Sequence, residues 1–193
     1  MSDANQPADP VPTSEERLRA VTVGPRVPHE APIALAEYDP TWPRLFECEA
    51  AKIRAVLGDF ALRIEHVGST SVPGLAAKPI IDIVLVVKDS ADEASYVPAL
   101  EGAGYVLRIR EPDWYEHRMF KGLGPAVNLH VFSEGCPEVA RMLAFRNRLR
   151  HNEPDREIYE SVKRNLAKNV WKHVQNYADA KSAVVKEILS RAT

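Results

Sequence analysis

The strongest run of apolar positions lies at residues 80–87, which read IIDIVLVV. Every position except Asp82 is β-branched or leucine, as is typical of a strand buried on both faces of a sheet. Shorter apolar stretches predict four further strands, at residues 61–67, 105–110, 117–121 and 127–132. The chain therefore has the strands of one small sheet, and a single carboxylate interrupts the most apolar of them.

Apolar positions at helical spacing surround these strands. Thr41 and Pro43 suit the first turn of a helix that runs to about Leu57, where Gly58 ends it. Further helices are predicted at residues 90–103, 137–151, 155–170 and 173–191. The order α-β-β-α-β-β-β, followed by helices, predicts an α+β fold. In it a small mixed sheet carries flanking helices on one side, and a C-terminal helical bundle closes over the other.

Residues 1–32 differ from the rest of the chain. They contain six prolines and few large apolar residues, so we expect a mobile or extended Pro-rich leader. Val21, Val23 and Val27 are the side chains that can pack it onto the domain. We expect the folded domain to cover residues 33–193, with the sheet core at about 33–135 and the helical part at about 136–193.

The composition, with 45% hydrophobic and 27% charged residues, is that of an ordinary soluble globular protein. No apolar run reaches the ~20 residues needed to cross a bilayer, and the N-terminus lacks the basic and apolar regions of a secretory signal. Cys48 and Cys136 have no metal-ligand spacing, which favours a reduced protein. We therefore expect a cytoplasmic protein without a membrane partner.

Charge is distributed unevenly around a net value of −2. Basic residues outnumber acidic ones after residue 136, whereas acidic residues predominate before it. This asymmetry suggests a groove that attracts phosphate-bearing ligands, although for an asymmetry of this size a solvated helical surface is the simpler explanation. The slightly acidic chain as a whole argues against nucleic acid as a partner.

The turn before the apolar strand suits an anion. Gly68 permits backbone angles that point successive N–H groups at a ligand. Ser69, Thr70 and Ser71 add hydroxyl donors, and Lys78 adds a compact positive charge. These groups can hold a triphosphate or another anion, although hydroxyl-rich turns also occur for structural reasons alone.

Asp82 is the second part of the predicted site. An ionised carboxylate in an apolar strand costs several kcal/mol unless a cation, a metal or strong donors meet it. A carboxylate facing a polyphosphate usually holds Mg²⁺. Glu65 is a candidate second carboxylate if its strand neighbours that of Asp82, and otherwise an outward residue paired with Arg63. His66 is expected to orient the turn by hydrogen bonding.

Arginines outside the turn extend the predicted site. Arg118 reaches the anion if its strand adjoins that of Asp82. Arg146 and Arg150 share one face of a helix at i, i+4, where an anion between them would offset their mutual repulsion. A surface position is the alternative for Arg118.

The segment EHVGSTSVPGLAAKPIIDI resembles the central motif of the GrpB-like proteins, a branch of the nucleotidyltransferase superfamily. The segments YDPTWPRLFECEAAKI at 38–53, NLHVF at 128–132 and AFRNRLR at 144–150 are also similar to that family. The resemblance covers about residues 33–191. It implies a polymerase-β-like nucleotidyltransferase sheet with a helical appendage.

The resemblance also implies roles for single residues. In active nucleotidyltransferases the Gly-Ser turn binds the triphosphate, a following strand supplies two carboxylates one residue apart, and a neighbouring strand supplies a third. Asp82 matches the first of the pair, but Val84 stands at the second position. In the strand expected to supply the third ligand, Asn128 and His130 share one face. His130 is therefore a candidate replacement ligand or general base.

Two lysines in the C-terminal helices resemble a recurrent Tyr-x-x-x-Lys pattern of the family. Tyr159 and Lys163 share one helix face, and Tyr177 and Lys181 share another. Both lysines are expected to reach the cleft, with snorkelling surface positions as the alternative.

Two functions follow from this reading. The first is an enzyme that uses an NTP, most plausibly ATP, with Mg²⁺ to transfer a nucleotidyl group to a small-molecule or protein acceptor, or to adenylate it. The second is a binding module that has lost turnover and binds a nucleotide or a CoA-like phosphate ester. Val84, in place of a second carboxylate, favours it.

The predicted catalytic residues are Asp82, His130 and Lys78, and the predicted metal ligands are Asp82 and Glu65. The predicted phosphate-binding residues are Gly68, Ser69, Thr70, Ser71, Arg118, Arg146, Lys163 and Lys181.

Overall fold

The computed structural model describes residues 13–25, 33–124, 126–171 and 173–192. Its strands are β1 (Arg63–Val67), β2 (Ile81–Val87), β3 (Tyr105–Glu111), β4 (His117–Gly122) and β5 (Val127–Ser133). Its helices are α1 (Glu15–Val21), α2 (Trp42–Leu57), α3 (Val97–Gly102), α4 (Pro137–His151), α5 (Glu153–Ala167), α6 (Val174–Asp179) and α7 (Ser182–Ser190). None of these helices is long and apolar enough to cross a bilayer.

The strands form one mixed sheet in the order β1-β2-β5-β4-β3. Strands β2 and β5 run parallel, and the other neighbours run antiparallel. The register aligns Asp82 with Val67 on one side and with Asn128 on the other, and Asn128 with Lys121. The predicted mixed sheet is thus confirmed, and Asp82 lies in a row of residues that crosses four strands.

Alternation along β2 sends its side chains to two different cores. Ile83 and Leu85 pack with Ile53 of α2 and Leu100 of α3. Val84 packs on the other face with α4 residues and with Phe132 of β5. Asp82 shares its face with Val84, so it points toward the side of the sheet that the C-terminal helices cover.

A third core joins the turn after β1 to the C-terminal helices. Its buried members are Val72, Leu75, Leu149, Tyr159, Val184 and Ile188. They come from the segment between β1 and β2 and from α4, α5 and α7. This packing sets α5 and α7 against the loop that precedes Asp82.

The predicted helix boundaries need two corrections. The helix expected at residues 173–191 is two helices, α6 and α7, separated by a turn at residues 180–181. The helix expected at residues 90–103 is a short 3₁₀ turn followed by α3, which has Pro98 in its first turn. Proline lacks the N–H that a continuous helix would need there.

Part of the predicted leader is folded. Ser14 caps α1 by accepting a hydrogen bond from the Arg17 backbone N–H at 3.1 Å, and Val21 is buried. Thr22 forms a β-bridge with Ile109 of β3. Residues 13–25 therefore include a helix that docks on the sheet edge, because this stretch has both a helix cap and a side chain to bury. Val27 and the rest of the leader lie outside the described residues.

Candidate anion-binding site

A cavity of about 60 Å³ lies where the turn after β1 meets the C-terminal helices. Polar and charged side chains supply most of its wall. It is lined by Leu35, Ser69, Thr70, Lys78, Asp82, Lys163, Tyr177 and Lys181. Three lysines against one carboxylate make the wall cationic, so its charge suits an anion.

The turn lies directly on the Asp82 carboxylate. Gly68 has φ 68° and ψ −174°, a backbone region that essentially only glycine occupies. A Cβ at this position would lie 2.3 Å from Oδ2 of Asp82. The sequence therefore requires glycine here for two reasons, its backbone angles and the space taken by the carboxylate.

Two of the predicted hydroxyl groups donate to backbone carbonyl oxygens and so hold the turn together, although Thr70 also lines the cavity. The Thr70 hydroxyl donates to the Ile80 carbonyl oxygen at 3.1 Å and lies 3.1 Å from Nε2 of His66. The Ser71 hydroxyl donates to the Gly68 carbonyl oxygen at 2.6 Å. His66 thus has the orienting role that the sequence suggests. Burial, with nearby arginines, lowers its pKa to about 4.

The Asp82 carboxylate is met by donors. The Asn128 amide donates to its Oδ1 at 2.6 Å, and the Lys121 ammonium donates to the Asn128 amide oxygen. Burial raises the pKa of Asp82, whereas the Asn128 hydrogen bond and the ammonium groups of Lys181, Lys121 and Lys78 lower it. One amide donor and the charges of three ammonium groups therefore meet this acid in its apolar strand.

Lys163 links α5 to the turn. Its ammonium donates to the Ser69 hydroxyl oxygen at 3.1 Å and to the Ala76 carbonyl oxygen, and it lies 4.9 Å from the ring centre of Tyr159. The side chain is 1% exposed. Burial, with the nearby charge of Lys181, lowers the pKa of Lys163 to about 7.

The Tyr177 ring lies close to two further ammonium groups. Lys181 Nζ is 4.6 Å from the ring centre, and Lys78 Nζ is 5.9 Å from it. Burial and the charge of Lys181 lower the pKa of Lys78 to about 8, and burial lowers that of Lys181. The structure thus brings Lys78, Lys163 and Lys181 into one cavity with Ser69 and Asp82.

Glu65 and Arg146 do not have their predicted roles. Glu65 lies opposite Val84 in the sheet, and its carboxylate binds Arg146 at 2.7 Å and Arg63 at 2.9 Å. Arg146 also donates to the His66 carbonyl oxygen at 2.9 Å. Arg146 therefore ties α4 to β1, and Glu65 is occupied by two arginines instead of pairing with Asp82.

Arg118 lies on the opposite face of the sheet. It is aligned with Val131, which belongs to the core under α2 and α3, and it binds Glu93 at 2.5 Å. The prediction that Arg118 contacts the anion is therefore wrong. Strand alternation sends its side chain away from Asp82.

His130 shares the face of Asp82 but does not line the cavity. It is aligned with Val84, and its Nδ1 lies 3.0 Å from Nε2 of His117. The other ring nitrogen of His117 lies 2.7 Å from Glu111. Burial, with the charges of His117 and Lys121, lowers the pKa of His130 to about 3. In this arrangement His130 belongs to a second polar cluster and is separate from the lysines.

The residues around Asp82 do not fit Mg²⁺. Its Oδ1 already accepts from Asn128, and three lysines share its cavity. Within the described ranges, no group of three or more His, Cys, Asp or Glu residues is placed to hold a metal ion. Mg²⁺ prefers several oxygen ligands and would be repelled by these ammonium groups.

The sequence alone does not show how much Tyr177, Asn128 and Lys121 contribute to the site. Tyr177 forms part of the cavity wall, and the repeated Tyr-x-x-x-Lys spacing is the sequence signal for it. Lys121 gave no such signal, because its approach to Asp82 depends on the pairing of β2, β5 and β4.

The fold is that of an α+β protein with a cavity, lined by three lysines and one carboxylate of the described residues, between its sheet and its C-terminal helices. The chain belongs to the GrpB family, because the family described as GrpB protein matches residues 32–191. A UPF0157 protein of Halalkalibacterium halodurans is 63% identical over 181 residues, which are 94% of this chain and 93% of that protein.

A solved structure and a more distant relative extend the comparison. The crystal structure of the conserved protein GrpB from Enterococcus faecalis is similar with a TM-score of 0.72 and 33% identity, over 82% of this chain and 96% of that one. A protein of Mycolicibacterium paratuberculosis named dephospho-CoA kinase is 28% identical over 188 residues, which are 84% of this chain and 46% of that protein.

Proposed function

We propose that the cavity binds the phosphate of a nucleotide or of a related phosphate ester, and that it does so without a metal ion. The observation that carries this proposal is the convergence of Lys78, Lys163 and Lys181 beside Ser69. These groups come from separate parts of the chain, so the fold itself assembles the cationic site.

The charges of the lysines in the cavity favour the binding of an anion. Burial lowers the pKa of both Lys163 and Lys78, and the charge of Lys181 lowers each of them further. Asp82 is the single carboxylate among the described residues that line the cavity. A phosphate would offset the excess positive charge and accept hydrogen bonds from the ammonium groups.

The relatives give weaker support for the ligand class. Two of them, from Mycolicibacterium paratuberculosis and Mycobacterium leprae, are named dephospho-CoA kinase. The matched region is about half of each protein, 46% and 47% of its length. This supports testing a CoA precursor beside ATP, and the ligand classes proposed here are nucleotides and CoA-like esters.

Calorimetric titration tests the proposal. ATP and dephospho-CoA are titrated separately into the protein, with and without Mg²⁺. We expect at least one of them to bind saturably without Mg²⁺, and Lys181→Gln to weaken that binding about tenfold or more. The matched control is Lys88→Gln, since Lys88 is exposed and lies just after β2. The proposal would be refuted if neither ligand bound saturably, or if Lys181→Gln and Lys88→Gln lost the same amount of affinity.

Nucleotidyl transfer is a second candidate, favoured by the contact of Gly68 with Asp82. A Gly-Ser turn beside a strand carboxylate is the arrangement that the resemblance to nucleotidyltransferases implies. ATP would be the donor and an unidentified small molecule or protein the acceptor, and Mg²⁺ would have to arrive bound to the triphosphate, because the residues around Asp82 do not fit it. This candidate requires pyrophosphate release that depends on Mg²⁺ and is abolished by Asp82→Asn. Tight binding in which ATP remains intact would instead support the binding module.

A further inference from the structure

Tyr177 carries a buried hydroxyl without a hydrogen-bond partner. Among the described residues, its Oη is the one buried side-chain polar atom for which the structure shows no partner. The residue is 2% exposed, and it lines the same cavity as the three lysines. Buried polar groups are nearly always hydrogen-bonded, so this hydroxyl indicates a ligand that accepts a hydrogen bond from it.

The ring of Tyr177 is held in place on more than one side. Lys181 and Lys78 lie 4.6 and 5.9 Å from its centre, and Trp171 packs edge-on with ring centres 6.1 Å apart. Burial raises the pKa of Tyr177 to about 12. The phenol therefore stays protonated at neutral pH and can act as a donor.

The cavity has room for a small anion. Its volume of about 60 Å³ is well above the ~10–15 Å³ that one water molecule needs, so a phosphoryl group can lie among the lysines. The cavity is partly open to solvent, so the rest of a larger ligand can extend out of it.

The geometry points to a site that recognises a terminal phosphoryl group, with the Tyr177 hydroxyl and the Ser69 hydroxyl as neutral donors and Lys78, Lys163 and Lys181 as cations. The inference rests on the proposed function and names the part of the ligand that enters the cavity, a group that ATP carries and that dephospho-CoA, whose two phosphates are linked on both sides, lacks. A terminal phosphoryl group carries about −1.5 to −2 charges and three strong acceptor oxygens at pH 7.

A phosphodiester matches this site less well. It has a single negative charge and two ester substituents, whereas the donors come from the turn, a loop, α5, α6 and the start of α7. Donors on so many sides leave little room for a second substituent. The site is therefore expected to prefer a monoester to the diester of the same nucleoside.

The experiment compares free phosphate with four adenosine ligands that differ only in the phosphate they carry. Orthophosphate, AMP, cyclic AMP, adenosine and ATP are titrated into the wild-type protein in phosphate-free buffer. We expect orthophosphate to bind, AMP to compete with it, and cyclic AMP to bind at least tenfold more weakly than AMP. The substitution Tyr177→Phe is expected to weaken the binding of orthophosphate and of AMP about tenfold. Tyr96→Phe is the control, since its hydroxyl donates to the Ser90 carbonyl oxygen at 2.6 Å on the other face of the sheet.

Thermal unfolding supplies a second readout. Without ligand, Tyr177→Phe should raise the melting temperature by about 2–4 °C, because it removes an unpaired buried hydroxyl. Tyr96→Phe should lower it, because that hydroxyl has a partner. With orthophosphate present, the ligand-induced rise should be smaller in Tyr177→Phe than in the wild type.

The outcomes separate this inference from the proposed function. If ATP or dephospho-CoA binds but orthophosphate and AMP do not, the terminal-phosphoryl inference fails and the proposed function stands. Equal affinity for AMP and cyclic AMP, or an unchanged phosphate affinity in Tyr177→Phe, also overturns the terminal-phosphoryl inference. If no phosphate-bearing ligand binds, both fail. The wild-type comparison decides the case even if Tyr177→Phe does not fold.

Discussion

Gly68 and Asp82 are in direct contact, although fourteen positions separate them along the chain. The absent Cβ of Gly68 would lie 2.3 Å from Oδ2, 2.9 Å from Cβ and 3.0 Å from Cγ of Asp82. Strand pairing produces this approach, because Val67 at the end of β1 is aligned with Asp82 in β2. The turn and the carboxylate therefore form one structural unit.

Replacing Gly68 with alanine should destabilise the protein substantially. The backbone region costs about 1–3 kcal/mol for a residue with a side chain, and the new methyl group must also displace the Asp82 carboxylate. Gly74→Ala is the matched control, since Gly74 has φ 76° but nothing within 4 Å of its would-be Cβ. Urea unfolding should show a clearly larger loss for Gly68→Ala. Equal losses would mean that backbone strain alone accounts for the effect.

Acid should destabilise the protein through two histidines. The folded-state pKa is about 4 for His66 and about 3 for His130, whereas an unfolded histidine titrates near about 6.5. Below about pH 6.5 the unfolded chain therefore binds protons that the native chain does not, so stability falls as pH falls. Each histidine contributes at most about 1.4 kcal/mol per pH unit.

The measurement is the free energy of unfolding between pH 7 and pH 5. His66→Gln should flatten the profile in this window, because the variant has lost one of the two shifted groups. His151→Gln serves as the control, since His151 is exposed at the end of α4. A profile that is equally steep in wild type and His66→Gln would contradict the assignment.

Anion binding should take up protons above neutral pH. In the free protein the pKa is about 7 for Lys163 and about 8 for Lys78, so both are partly neutral at pH 8. A bound phosphate favours the ammonium form and raises these pKa values. Affinity should therefore fall between pH 7 and pH 9, by up to about tenfold per pH unit for each proton taken up.

Calorimetry in buffers of different ionisation enthalpy measures this uptake directly. At pH 8 the observed binding enthalpy should vary with the buffer in the sense of net proton uptake. Lys163→Met should show less uptake, as well as weaker binding, because its titrating group is gone. Proton release, or affinity that rises with pH, would argue against ammonium groups as the anion ligands.

The Glu65–Arg146 pair should contribute to stability and not to anion binding. Arg146 donates to Glu65 at 2.7 Å and to the His66 carbonyl oxygen at 2.9 Å, and hydrogen bonds of charged groups contribute about 1.5–3 kcal/mol. Arg146→Met should cost an amount in that range in urea unfolding. In a double-mutant cycle with Glu65→Gln, we expect a favourable coupling of about 1 kcal/mol or more. Phosphate affinity should stay within about twofold of wild type, and a large loss would return Arg146 to the binding site.

The strands and most helices were predictable because each rests on local pattern. The apolar run around Asp82 became β2, and α2 begins after Thr41 and ends before Gly58 as expected, although the Thr41 side chain makes no capping hydrogen bond. The break between α6 and α7 was not predicted, since apolar spacing continues across residues 180–181. Helical periodicity indicates which face is apolar, but it does not show whether the backbone is continuous.

Only the part of the candidate site that lies between residues 68 and 82 was predictable from the sequence. Gly68, Ser69, Lys78 and Asp82 lie within one short segment, and their residue types alone pointed to an anion. The role predicted for Arg118 was wrong, and His130 lies outside the cavity. Both positions depend on strand order and on which face of the sheet each side chain occupies. The same pairing brought in Lys121, which nothing in its local sequence had singled out.

The sequence by itself determines the secondary-structure elements, the buried strand β2 and the turn that contacts Asp82. These features depend on residues that are neighbours along the backbone. Only the tertiary structure decides which cations and hydroxyls surround the carboxylate. Lys163, Tyr177 and Lys181 reach it through the packing of α5, α6 and α7 on the turn. Long-range packing is set by the burial of side chains distant in sequence, and it is this burial that turns separate lysines into one site.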